Sequence, residues 1–244
     1  MPAPSQRKTH AGGEDLAWRR RAWIASAVLL AWFVAFTGTR LLNVPDEGRY
    51  AEVAREMVVT GDLVTPRLNG VPFLDKPPLF YWLEAASFSA FGAHAWSARL
   101  VPALLGWLGT VLVLLAGARL RGWRAGVLGA AVLATSPLWL GGAQYVNHDL
   151  AVAAFLTASL LSFVVGLTGP AREGAAWIVA GCVAAGLAVL TKGLIGLVFP
   201  FGITGLWVLL TGRLRRVPWG ALALGLVVLA AVVAPWSLAS SATR

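Results

Sequence analysis

The 244-residue sequence has a single cysteine, Cys182, three histidines, and charged side chains at only 13% of positions. A lone cysteine excludes an intrachain disulfide and any thiolate metal site. It lies within an apolar run and reads as a small packing residue. His94 and His148 lack the spacing of a metal-ligand pair. The shortage of charge excludes the mixed polar surface of a soluble domain. Acids are scarcer than bases, 11 Asp and Glu against 20 Lys and Arg, and the formal net charge is +9. Such an excess suits nucleic acid only if the bases gather on one water-facing surface. Here they sit at alternate ends of apolar segments, so a nucleic-acid partner is excluded.

What the sequence does have is apolar length. Hydrophobic residues make up 58% of the chain, and the mean hydropathy is +0.72. Segments approach the roughly 20 residues that cross a ~30 Å hydrocarbon core as helix. The expected fold class is all-α, a polytopic membrane helix bundle of about seven spans with amphipathic juxtamembrane helices in its first outer loop. The spans are expected near residues 22–42, 96–118, 125–141, 150–167, 175–191, 194–210 and 217–236, after a polar, disordered tail. The domain division is a cytoplasmic tail, 1–21, and a transmembrane domain, 22–244, with an extracytoplasmic loop at 43–95. Arg19 to Arg21, Arg119, Arg121, Arg124, Arg172, Arg213, Arg215 and Arg216 then fall on one side. By the positive-inside rule that side and the N-terminus are cytoplasmic, and the protein is a multi-pass protein of the inner or plasma membrane.

Most acids fall on the other side, including Asp46, Glu47, Glu52, Glu56, Asp75, Glu84 and Asp149, a surplus that charge bias alone does not require. After Pro45, apolar Tyr50, Val53, Ala54, Met57 and Val58 recur at helical spacing, with Arg49, Glu52, Arg55 and Glu56 opposite them. This predicts an amphipathic helix on the membrane surface that stops at Gly61. A turn-rich stretch follows, then "LDKPPLFYWLEAASFSAFG", whose aromatic residues suit the interfacial belt.

Asp46 and Glu47 at the start of that helix complement its dipole in the plainest account. Asp149 has the plain role of an N-cap, although it is the sole acid between Glu84 and Glu173. Lys192 is either a snorkelling anchor or, being a base on the outer side, part of a site. Asp46 with Glu47, Asp75 with Lys76, Asp149 and Lys192 all belong to one face of the expected bundle. Carboxylates with lysines there suit a phosphate ester whose lipid tail stays in the bilayer: a carboxylate accepts a proton from a hydroxyl, and a cation neutralises a departing phosphate.

"PDEGRYAEVAREMVVTGDLVTPRLNGVPFLDKPPLFYW", "TSPLWLGGAQYVNHDLAVAAFLT", "GLAVLTKGLIGLVFP" and "APW" occur in this order. Together they resemble the bacterial GT-C glycosyltransferases of the aminoarabinose lipid A transferase and protein O-mannosyltransferase type (glycosyltransferase family 39). The resemblance covers about residues 41–236 and implies sugar transfer from a polyprenyl-phosphate donor to a lipid or protein acceptor outside the cytoplasm. It implies Asp46 as catalytic acid residue with Glu47 in support, and Asp149 as the second functional acid. Lys76, Lys192 and Arg49 are expected on the donor phosphate. Asp75 stands where the family's E-K-P-P element carries glutamate, which leaves a divalent metal ion an open cofactor. Family members continue through further membrane helices, so the match is to their N-terminal part. A second chain supplying the remaining helices is an expected partner on one account, and a catalytically incomplete scaffold or subunit of the same fold is the alternative function. A flippase ranks last, since nearly all charges lie at span ends.

Overall fold

A computed structural model describes residues 4–242 of the chain. The helices are α1 (Pro4–Ala35), α2 (Asp46–Thr60), α3 (Leu79–Phe91), α4 (Ala95–Arg121), α5 (Trp123–Thr135), α6 (Pro137–Ala143), α7 (His148–Thr168), α8 (Ala171–Lys192), α9 (Ile195–Leu210) and α10 (Trp219–Ala242). The strands β1 (Arg67–Leu68) and β2 (Val71–Pro72) form a small antiparallel hairpin. Its tip is Asn69-Gly70, both at positive φ, the conformation that a tight two-residue hairpin turn requires. The all-α class holds. Residues 4–15, expected as disordered tail, instead extend α1, and residues 1–3 lie outside the described residues.

The chain passes between the same two ends of a bundle. Ala22 of α1 packs with Leu114 and Ala130 at one end, and Phe33 packs with Ala103, Ala143 and Leu150 further along. At the far end of the last passage, the Trp236 indole N–H donates to the Val64 carbonyl at 2.8 Å, tying α10 to the loop that follows α2. Helices α4, α7, α8 and α10 are each long and apolar enough to cross a membrane. A fifth span arises if α5 and α6 count together, although they bend by 70° where Ser136 precedes Pro137. Among the described residues, length and apolarity thus support four or five spans, and the expected seven are not confirmed. Helix α1 stops at Ala35, before the predicted end of the first span. Helix α9, with 16 residues, is roughly 24 Å long at 1.5 Å per residue.

Glycine governs the tightest approaches. A Cβ at Gly126 would lie 2.3 Å from the Leu114 carbonyl oxygen, and one at Gly196 would lie 2.2 Å from the Val189 nitrogen. Larger residues there would push α5 from α4 and α9 from α8.

Helix α2 ends at Gly61, as its sequence predicts: the residue has φ +72° and its N–H caps the Met57 carbonyl. Val53, Ala54 and Met57 face inward. Two expectations for this region are corrected. Glu56, assigned to the polar face, is buried and accepts from the Gly70 N–H at 3.0 Å, holding the hairpin to α2. In α3, Phe80 and Tyr81 are fully buried inside the bundle rather than forming an interfacial belt. Glu47, Glu56 and Glu84 are all buried, so part of the acid surplus is internal to the protein.

Candidate functional site

At the start of α2, adjacent residues point in opposite directions because successive helical side chains are about 100° apart. Asp46 is about half exposed and forms an ion pair with Arg49, one turn on. Glu47 is fully buried. Its carboxylate accepts from Arg99 Nε and Nη2, both at 2.8 Å, from Arg40 Nη1 at 2.5 Å, and from the backbone N–H groups of Asn43 and Val146 at 2.8 and 3.1 Å. Burial alone would raise the Glu47 pKa, but these five donors overcome it and hold the group at about 2. Arg99 also donates to the carbonyls of Thr37, Arg40 and Leu41. One carboxylate and one guanidinium thus join α2, α4, the segment after α1 and the α6–α7 turn.

The sequence pattern alone gives Glu47 only a supporting place beside Asp46 and gives Arg99 no role, so this network is a finding of the structure. One signal was available: Arg99 lies inside an expected span, on the side where arginine is disfavoured.

The second acid is resolved by its cap. Asn147, not Asp149, caps α7, its side-chain oxygen accepting from the N–H groups of Asp149 and Leu150 at 2.9 and 3.2 Å. The Asp149 carboxylate is free of that duty and pairs with Lys192 at the end of α8. It borders a cleft of about 570 Å³ lined by Ser136, Trp139, Tyr145 and Asn147, among others. Asp75 and Lys76, before α3, pair with each other at 3.2 Å.

His148 sits where these groups meet. It is buried, with the rings of Tyr50, Phe80 and Tyr81 at 4.7, 4.6 and 4.9 Å. Lys192 pairs with Asp149, the residue that follows His148, and Asp75 and Lys76 come a few positions before Phe80, one of the rings on His148. The Arg49 guanidinium lies 5.3 Å from the Tyr50 ring and 6.0 Å from that of Phe73. The structure therefore brings Asp46, Arg49, Asp75, Lys76, Asp149 and Lys192 to one end of the bundle around an aromatic floor, while Glu47 turns away into the scaffold.

Glu84, one turn after Tyr81 on α3, is fully buried, and neither of its oxygens has a partner among the described residues. Burial, together with the charge on Glu47, raises its pKa well above the usual carboxylate range. Among the described residues no three His, Cys, Asp or Glu side chains gather as a group that could hold a metal ion. Asp75, already paired with Lys76, does not make such a site alone.

The family model described as dolichyl-phosphate-mannose-protein mannosyltransferase matches residues 21–240. The chain belongs to this family. Within it, the chain is 33% identical over 221 residues to the undecaprenyl phosphate-alpha-4-amino-4-deoxy-L-arabinose arabinosyl transferase 1 of Sodalis glossinidius, covering 89% of this chain and 39% of that one. It is 32% identical over 225 residues to the corresponding transferase of Pseudomonas savastanoi, covering 91% and 42%. The crystal structure of ArnT from Cupriavidus metallidurans bound to undecaprenyl phosphate superposes with a TM-score of 0.84 at 32% identity, covering 93% of this chain and 42% of that one. The chain thus spans about two fifths of the length of these mannosyltransferase-family relatives. The match begins at residue 21, earlier than the motifs alone indicated, because it includes the second half of α1.

Proposed function

We propose that this chain carries the donor-phosphate side of a membrane glycosyltransferase that moves a sugar from a polyprenyl phosphate to a lipid or protein acceptor. The carrying observation is that Lys192, paired with Asp149, stands beside buried His148, whose ring neighbours Tyr50 and Phe80 belong to the segments that carry the Asp46–Arg49 pair and Lys76. Each lysine spends one contact on a carboxylate, Lys76 on Asp75 and Lys192 on Asp149, and an ammonium group has three donors, so both keep donors and charge for a phosphate. Aromatic and apolar surroundings lower the local dielectric and strengthen the attraction.

In the proposed reaction Asp46 takes the proton from the acceptor hydroxyl or amine. That oxygen or nitrogen attacks the anomeric carbon from the face opposite the phosphate, and the bond from that carbon to the phosphate oxygen breaks. The polyprenyl phosphate leaves with its charge held by Lys76, Lys192 and Arg49, and the configuration inverts. Asp149 orients Lys192 rather than touching the sugar, and Glu47 fixes the helix end that carries Asp46. The site faces away from the cytoplasm, the N-terminus is cytoplasmic, residues 1–21 form the cytoplasmic tail and residues 43–95 form the outer loop of the transmembrane domain in the inner or plasma membrane.

The test is transfer of labelled sugar from a polyprenyl-phosphate donor in membranes containing the protein. Lys76→Met is expected to raise the donor concentration needed for half-maximal rate by about tenfold or more, the weight of one lost charge-assisted contact. An unchanged donor requirement would remove Lys76 from the phosphate site.

Orientation has its own test. Gly70 and Gly212 both have positive φ, so cysteine there would strain the turns. The exposed neighbours Val71 and Arg215 are better sites. In a Cys182→Ala background, Val71→Cys is expected to react with an impermeant maleimide from the extracytoplasmic side, and Arg215→Cys only after the membrane is opened. Labelling of both from one side would overturn the orientation.

A further inference from the structure

At the end of the bundle opposite His148, the structure holds a second cleft, of about 340 Å³, between α4 and α7. Its residue Val165 is 17 positions along α7 from His148, roughly 25 Å at helical rise. Two hairpins frame this end, each closed by glycine against glycine. A Cβ at Gly117 would lie 2.7 Å from Gly126 Cα, and one at Gly174 would lie 2.8 Å from the Gly166 carbonyl oxygen. Leu112, Leu115, Leu161 and Val165 line the cleft together with the half-exposed Arg119 and the indoles of Trp123 and Trp177. Leu112 to Arg119 covers about 10 Å of α4. The apolar floor therefore runs from the arginine toward the middle of the bundle, parallel to the helices.

Arg119 pairs with Glu173 and lies 5.2 Å from the Trp177 ring. These contacts leave its Nε and Nη1 donors unclaimed among the described residues. Arg121, Arg124 and Arg172 lie close by in sequence, and Glu173 is the sole acid between Asp149 and the last described residue. The local charge is positive, and it stands at the polar end of an apolar slot that two tryptophans place at interfacial depth. That combination fits one amphiphile: an anion with an acyl chain running along the membrane normal.

We infer that this cleft binds an anionic glycerophospholipid of the leaflet facing the arginine-rich end, its phosphate on Arg119 and an acyl chain against Leu115 and Leu161. Basic pockets between transmembrane helices select anionic headgroups in this way, and the cleft volume lies within the range of small-ligand sites, about 300–1,000 Å³. The cleft is separate from the proposed donor site and does not depend on it.

The test uses the 244-residue chain in nanodiscs of phosphatidylcholine with a minor fraction of phosphatidylglycerol, followed by native mass spectrometry of the lipid retained on release. Wild type is expected to retain phosphatidylglycerol over phosphatidylcholine. Arg119→Gln is expected to lower that retention about fivefold or more, the weight of one basic residue near an anionic headgroup. Leu161→Trp, which keeps the charge and fills the slot, should lower it too. Thermal unfolding in pure phosphatidylcholine nanodiscs establishes that both variants are folded. Equal retention in folded Arg119→Gln and wild type, no preference for the anionic lipid, or unaltered retention in folded Leu161→Trp would each overturn the inference. A polyprenyl phosphate that displaces phosphatidylglycerol at equal concentration would overturn the assignment of a glycerophospholipid.

Discussion

Asp46→Asn is expected to reduce sugar transfer by roughly 10²- to 10⁴-fold, the usual contribution of a general base, while the protein still inserts and folds. Asparagine keeps the shape of the side chain and its ability to accept from Arg49, but not the charge that takes up a proton. The exposed position of Asp46 makes the substitution cheap for folding: the Asp46–Arg49 pair is a half-exposed contact within one helix, and such pairs contribute little. Loss of activity with intact assembly would therefore report chemistry. The control is Glu52→Gln, which breaks the surface pair with Arg55 and is expected to leave transfer within about twofold of wild type, since a surface pair is worth under ~1 kcal/mol. Equal rates for Asp46→Asn and wild type would end the case for Asp46 as base.

The largest expected effect on stability comes from the residue next to it. Arg99→Leu leaves the Glu47 carboxylate buried with two of its five donors and its buried counter-charge gone, and Glu47→Leu leaves Arg99 buried without its anion. Each change is expected to cost about 3–5 kcal/mol, as removal of one member of a buried pair does, with loss of folded protein from detergent extracts as the readout. The double variant Glu47→Leu/Arg99→Leu is expected to recover part of that loss, because no uncompensated charge remains. Three carbonyls that Arg99 now caps would still be left bare, so recovery is incomplete.

Acid gives an independent check. Glu47 has a folded-state pKa near 2 against an ordinary 4.5. Its contribution to stability is fully present above pH 4.5 and is lost as pH falls toward 2. Thermal stability of wild type should decline through that window, and Glu47→Gln, already weakened at neutral pH, should decline less. Parallel declines would mean that Glu47 is not the group being protonated.

The membrane character, the helices α4, α7, α8 and α10, the stop at Gly61 and the family were all legible in the sequence. Each rests on local information: apolar length, 3.6-residue periodicity, a glycine at a left-handed cap, and short motifs in fixed order. The residues meeting around His148 were legible as types and by parity of the helices, since charges at alternate helix ends necessarily share a face. Partnership was not. Nothing local distinguishes Asp46 from Glu47, yet one turns outward and the other is buried, because the rotation of α2 against α4 is set by packing across 52 positions of sequence. Asp149 looked equally suited to cap its own helix; Asn147 took that role, and only the approach of α8 to α7 supplied Lys192 as its partner. A sequence states which groups are expensive to bury, but the tertiary structure decides which of them are buried, because desolvation and its compensation depend on neighbours that chain order does not specify.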